Sequence, residues 1–142
     1  MENTKPSILL VDDNDTDNLI TKRILELTGF SSDVHVCNTG ASALDWLLLL
    51  ATTQRPLPHW IFLDINMPLM DGFTFLDEYE KLLPETAKTS KIVILSSSDN
   101  PSDIAQMLGK KYVDGFVTKP LTEENLLHWR SNFIQQDFSL TG

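Results

Sequence analysis

Five residues with side chains fit for phosphate chemistry each follow a short apolar run. Asp12 and Asp13 follow Ile8–Val11, and Asp64 follows Trp60–Leu63; Ser96 follows Ile92–Leu95, and Lys119 comes just after Gly115–Val117. If the runs are strands of one open parallel sheet in the order 2-1-3-4-5, strands one and three are neighbours at the point where strand order reverses, and sites form there at the carboxyl edge. Asp12, Asp13 and Asp64 then share one pocket, with Ser96 and Lys119 alongside. Three carboxylates so gathered repel, since two unit charges about 4 Å apart cost about 4 kcal/mol at an effective dielectric of about 20. Such a cluster calls for a cation, and all-oxygen ligands at small size suggest Mg²⁺. Lys119 adds a second positive charge. A cation and a lysine are also what an incoming phosphoryl group needs, and a carboxylate is a known kind of phosphoryl acceptor. Asp64 is the natural acceptor, projecting from the central strand with metal and lysine on either side.

The chain has to build five strands and five helices to place these residues. Ile8–Val11, Trp60–Leu63 and Ile92–Leu95 are nearly continuous apolar runs, as expected of strands covered on both faces. Val34–Cys37 alternates, which suits an edge strand. Helices are expected over Thr16–Thr28, Ala41–Ala51, Phe73–Leu83, Pro101–Leu108 and Thr122–Ile134. The first carries Leu19, Ile20, Ile24 and Leu27 on one face, with Gly29 as its stop. The third carries Phe73, Leu76, Tyr79 and Leu83 and ends at Pro84. Asn100 caps the fourth with Pro101 at its first position, and Thr122 caps the fifth. Strict alternation of strand and helix predicts a doubly wound α/β fold, (βα)₅, with helices on both faces of the sheet.

The segments Leu10-Val11-Asp12-Asp13-Asn14, Leu63-Asp64-Ile65-Asn66-Met67-Pro68-Leu69-Met70-Asp71-Gly72, Ile94-Leu95-Ser96-Ser97 and Val117-Thr118-Lys119-Pro120 resemble the four signatures of response-regulator receiver domains. The resemblance runs from about Ser7 to Ile134. It implies a flavodoxin-like three-layer sandwich and a phosphorylation switch in which Asp64 takes phosphate from a histidine kinase or a histidine phosphotransfer protein. It further implies Mg²⁺ held by Asp12, Asp13, Asp64 and the backbone carbonyl of Asn66. Lys119 would contact the phosphate, and the peptide before Pro120 would be cis. The hydroxyl of Ser96 would move to bond the phosphoryl group, although Ser96 opens a run of three serines whose register could slip by one. Phe116 matches the aromatic switch position, where phenylalanine lacks the hydroxyl of the tyrosine form and can act only through packing. Ile65, Asn66 and Ser98 lie where they could tune phosphate lifetime. Lys110 and Lys111 make a basic spot beside the strand and helix that receivers use to meet targets.

Composition narrows the partners. The chain of 142 residues carries 20 Asp and Glu against 11 Lys and Arg, a net charge of −9, which disfavours nucleic acid and anionic membrane surfaces. A single cysteine, Cys37, excludes an internal disulfide and agrees with a cytoplasmic protein. One receiver domain over 1–142 is expected, its core about 7–134 and a polar tail at 135–142, a monomer or weak dimer acting in trans on an unknown target. It would act as a phosphoacceptor rather than a classical enzyme. Rival chemistries fit poorly. An Asp-nucleophile phosphatase would need Thr or Val where Asp17 stands, a flavodoxin would need a Ser/Thr/Gly-rich loop where Asp12 to Asp17 would repel phosphate, and no Gly-x-Gly-x-x-Gly follows a strand. A degenerate receiver serving only as a scaffold is not favoured, because every site position holds a competent residue. His35, His59 and His128 lack metal spacing, and Trp46, Trp60 and Trp129 read as packing residues.

Overall fold

The apolar runs divide by parity onto two faces. Leu9, Val11, Ile61, Leu63, Ile92 and Ile94 enter one buried cluster, and Ile8, Leu10, Trp60, Phe62, Val93 and Leu95 enter the other. Strands that bury both faces must be apolar at every position, which is why these runs do not alternate in type. The computed structural model describes residues 6–97 and 100–128. Ser98, Trp129, the rest of the expected fifth helix to Ile134, and 135–142 lie outside the described residues.

The strands are β1 (Ser7–Val11), β2 (Asp33–Cys37), β3 (Trp60–Leu63), β4 (Lys91–Ser96) and β5 (Val113–Thr118), all parallel in the order β2-β1-β3-β4-β5. The helices are α1 (Asp15–Leu27), α2 (Gly40–Thr52), α3 (Gly72–Leu82) and α4 (Pro101–Leu108), and residues 123–128 form the described part of a fifth, α5. Residues of α2, α3 and α4 pack in the first cluster and residues of α1 and α5 in the second, giving a doubly wound three-layer α/β sandwich. Caps stand where the residue types call for them. The side chains of Asn14, Thr39, Asp71 and Asn100 each accept a backbone N–H of the helix they precede, Thr122 Oγ1 accepts the N–H of Asn125, and Gly29 takes φ 74 just beyond α1.

Two expectations need correction. Three of the four apolar positions named on α1 lie outside its buried face: Leu19 is 67% exposed, Ile20 48% and Leu27 73%, whereas Ile24 packs partly buried against the second cluster and Asn18, Thr21 and Leu25 are buried. The N-terminal half of α1 lies over the carboxyl edge of the sheet, where the structure offers a carbonyl rather than hydrocarbon. Asn18 Nδ2 donates to the carbonyl oxygen of Asp12 at 2.9 Å, and this contact helps set the roll of the helix. The second correction is the length of β5, which runs from Val113 rather than Gly115. Asp114 resembles a turn residue, yet its Oδ2 accepts the N–H of Ile92 at 2.9 Å, beside the register shift between β4 and β5. In α3 the buried residues include Phe75, while Phe73 is only partly covered.

Candidate functional site

Register brings the acidic residues together. Val11 pairs with Leu63, so Asp12 and Asp64 leave adjacent strands at the same height, and the N–H of Asp64 donates to the carbonyl of Val11 at 3.0 Å. Ser96 pairs with Thr118, and the N–H of Lys119 donates to the carbonyl of Ser96 at 2.8 Å, which brings Lys119 to the same edge. Carboxylate oxygens of Asp12, Asp13 and Asp64 all lie within 4.8 Å of one another and could hold a metal ion. Asp12 and Asp64 are buried, whereas Asp13 is exposed and opens the cluster to solvent.

The charges are only partly balanced. Lys119 Nζ lies 2.6 Å from Asp12 Oδ2, 2.8 Å from Asp17 Oδ2 and 3.8 Å from Asp64 Oδ1. Burial works to lower the Lys119 pKa, but the hydrogen bonds to Asp12 and Asp17 and the charge of Asp64 outweigh it, so the ammonium is held charged. Burial raises the Asp64 carboxyl to about 6; Lys119 opposes that rise, Asp12 and Asp13 add to it, and a hydrogen bond from the backbone of Asn66 again opposes it. A buried carboxylate that resists ionising beside two others is a site short of positive charge.

Ser96 ends β4 fully buried, whereas the neighbouring Ser97 is exposed. Asn66 follows Asp64 by two residues and is exposed. The Lys119–Pro120 peptide is cis. Phe116 is partly buried on β5 against the cluster that α4 enters through Met107, some way along the strand from Lys119. Gly72 is there for close approach: an added Cβ would lie 2.9 Å from Ile65 Cα and 3.0 Å from the carbonyl oxygen of Asp64. Cys37 is buried, and burial raises its thiol despite a hydrogen bond with Ser42, so it stays protonated and unreactive. His35 stacks on Trp46 at 4.0 Å between ring centroids, and His59 accepts the N–H of Ser7, so both rings have structural partners.

Asp17 and Asn18 were not among the residues singled out from the sequence. A signal existed. Side chains of a helix lean toward its N-terminus, so first-turn residues of α1 overhang the Asp12–Asp13 loop. Asp17 meets Lys119, and Asn18 ties the Asp12 carbonyl to the helix.

A doubly wound parallel sheet thus carries an acidic pocket at its switch point with a lysine beside it. The model of the response regulator receiver domain matches residues 8–129, and the chain belongs to that family. It is 30% identical over 119 residues to the probable methanogenesis regulatory protein FilR2 of Methanothrix harundinacea, covering 84% of this chain and 75% of that protein. A two component response regulator from Cytophaga hutchinsonii superposes with a TM-score of 0.84 at 31% identity, over 92% of this chain and 98% of that one. The Mn²⁺-bound form of response regulator Rcp1 superposes with a TM-score of 0.68 at 25% identity, over 87% of this chain and 88% of that one. Among curated relatives the chain spans from about a tenth to three quarters of the matched protein's length. Among the described residues no helix is long and apolar enough to cross a membrane.

Proposed function

We propose that Asp64 is the phosphoacceptor of this receiver, taking a phosphoryl group from a phosphohistidine of a kinase or phosphotransfer protein. One observation carries the reading: Asp64 is buried at the end of the central strand, within 4.8 Å of two further carboxylates and 3.8 Å from Lys119 Nζ. A carboxylate oxygen of Asp64 attacks phosphorus, the P–N bond to the donor imidazole breaks, and its electron pair stays on the imidazole nitrogen. Lys119 offsets charge on the phosphoryl oxygens. The excess of negative charge in the pocket suits a small divalent cation with oxygen ligands, held by Asp12, Asp13, Asp64 and the Asn66 carbonyl, and the Mn²⁺-bound Rcp1 structure is a relative with a divalent cation. When bound, Mg²⁺ supplies charge compensation for the transferring phosphoryl group.

The phosphoryl group biases a two-state equilibrium only by contacts that differ between the states. Ser96, buried at the end of β4, supplies such a contact by turning its hydroxyl to a phosphoryl oxygen. That movement lets α4 and Phe116 repack, and the face built from α4, β5 and α5 changes its affinity for a partner protein. The role is that of an adaptor or a relay member. Phosphate-dependent binding of a target supports the adaptor role, and rapid phosphate loss to a phosphotransfer protein supports the relay.

Intact mass after incubation with acetyl phosphate tests the acceptor directly. The native chain should gain one phosphoryl group in the presence of Mg²⁺ and none in chelator, and Asp64→Asn should gain none. A folded native chain that takes no phosphate overturns the reading.

A further inference from the structure

Lys119 serves two masters in this pocket. Its ammonium makes hydrogen bonds to Asp12 at 2.6 Å and to Asp17 at 2.8 Å, yet stands 3.8 Å from Asp64. Both close partners lie on the β1–α1 side, so the charge is drawn away from the residue on which phosphate would sit. The two partners are not equivalent. Asp12 belongs to the carboxylate group able to hold a cation, and Asp17 does not. If Asp12 turned to a cation, Asp17 would remain nearer to Lys119 than Asp64 is.

Asp17 is well fixed for this. It stands in the first turn of α1, and its own N–H donates to Asn14 Oδ1 at 2.9 Å. Its side chain is 35% accessible, that of Lys119 13%, and the pair borders an open cleft of about 210 Å³ that also touches Ile20, Thr21, Ser97 and Pro120. A pair so placed is partly hydrated. An ion pair of this exposure is weak.

Resting on the phosphoacceptor reading above, we propose that Asp17 is a positioning residue that holds Lys119 back from Asp64 and competes with the phosphoryl group for it. Asp17 thereby sets how readily the site takes phosphate, and touches neither the metal nor the reacting atoms.

Beryllofluoride, a phosphoryl mimic, is titrated calorimetrically into the native chain at saturating Mg²⁺ and into Asp17→Asn, Asp17→Glu and Asp15→Asn. Relieving an ion pair of this exposure should tighten binding by about two- to five-fold in Asp17→Asn. Asp17→Glu restores a carboxylate for Lys119 and should return the affinity toward native. Asp15→Asn removes the same formal charge from the same turn, but Asp15 bonds Asn38, so it should shift affinity by less than Asp17→Asn. Binding by Asp17→Asn that equals or falls below native overturns the inference, as does an equal gain in Asp15→Asn, which would reduce the effect to bulk charge. Failure of the native chain to bind the mimic would instead overturn the phosphoacceptor reading beneath it.

Discussion

Neutralising Asp64 should stabilise the metal-free protein, although it destroys the proposed acceptor. Burial and the neighbouring carboxylates lift the Asp64 pKa from 3.8 to about 6, net of the attraction of Lys119. A carboxyl with a raised folded-state pKa favours the folded state most below pH 3.8, where it is protonated in both states. That stability is lost as pH rises through about 6, where the folded chain must ionise it. The gap between 3.8 and about 6, at about 1.4 kcal/mol per pH unit, is about 3 kcal/mol. Asn cannot ionise, so Asp64→Asn should be more stable than native by about 1–3 kcal/mol at pH 8 in chelator. The advantage should shrink through pH 6 and vanish near pH 4. Urea unfolding of both chains from pH 4 to pH 8 measures this, provided the denaturant slopes agree. Equal stability at pH 8, or a difference that persists at pH 4, would refute the claim that an uncompensated charge on Asp64 strains the pocket.

The same charge balance predicts the effect of metal. Mg²⁺ at ten times its dissociation constant should raise native stability by about 1.4 kcal/mol at pH 8, the gain should fade below about pH 6, and Asp64→Asn should gain much less; thermal unfolding with and without chelator reads all three. Leu69 has φ 70 and a fully exposed side chain in the β3–α3 loop. Among the described residues nothing covers that side chain in return for the left-handed backbone, so Leu69→Asn should raise stability by about 0.5–1 kcal/mol in urea unfolding. Gly72→Ala places a Cβ against the backbone of Ile65 and Asp64. It should cost about 1–3 kcal/mol and weaken Mg²⁺ binding, measured by calorimetry, because relief requires moving the loop that carries Asp64 and Asn66.

The parts read well from the sequence are those where one physical requirement decides the residue type. A strand buried on both faces admits only apolar residues, so β1, β3 and β4 stood out, and the residues just beyond them led to the pocket. Caps were legible for a similar reason, since Asn100 and Thr122 supply an acceptor that the following helix needs. The face of α1 was not legible, because counting apolar positions assumes that the neighbour is hydrocarbon. Here the neighbour is the Asp12 carbonyl, and a polar Asn18 is the residue that fits it. The start of β5 was missed for a related reason, since the polar Asp114 lies within the strand and its carboxylate accepts the N–H of Ile92.

Asp17 shows where motif reasoning itself runs out. The four signatures place five side chains at strand ends and are silent about the first turn of the helix that overhangs them. Yet the charge on Lys119 is finite, and among the described residues two of its three carboxylate partners lie on the α1 side. A motif states that a lysine is present, whereas the helix above it determines how free that lysine is to leave its partners. Receivers with the same signatures and different residues at the Asp17 position should therefore differ in how readily they take a phosphoryl mimic. Exchanging that single residue between two such receivers should carry part of the difference with it.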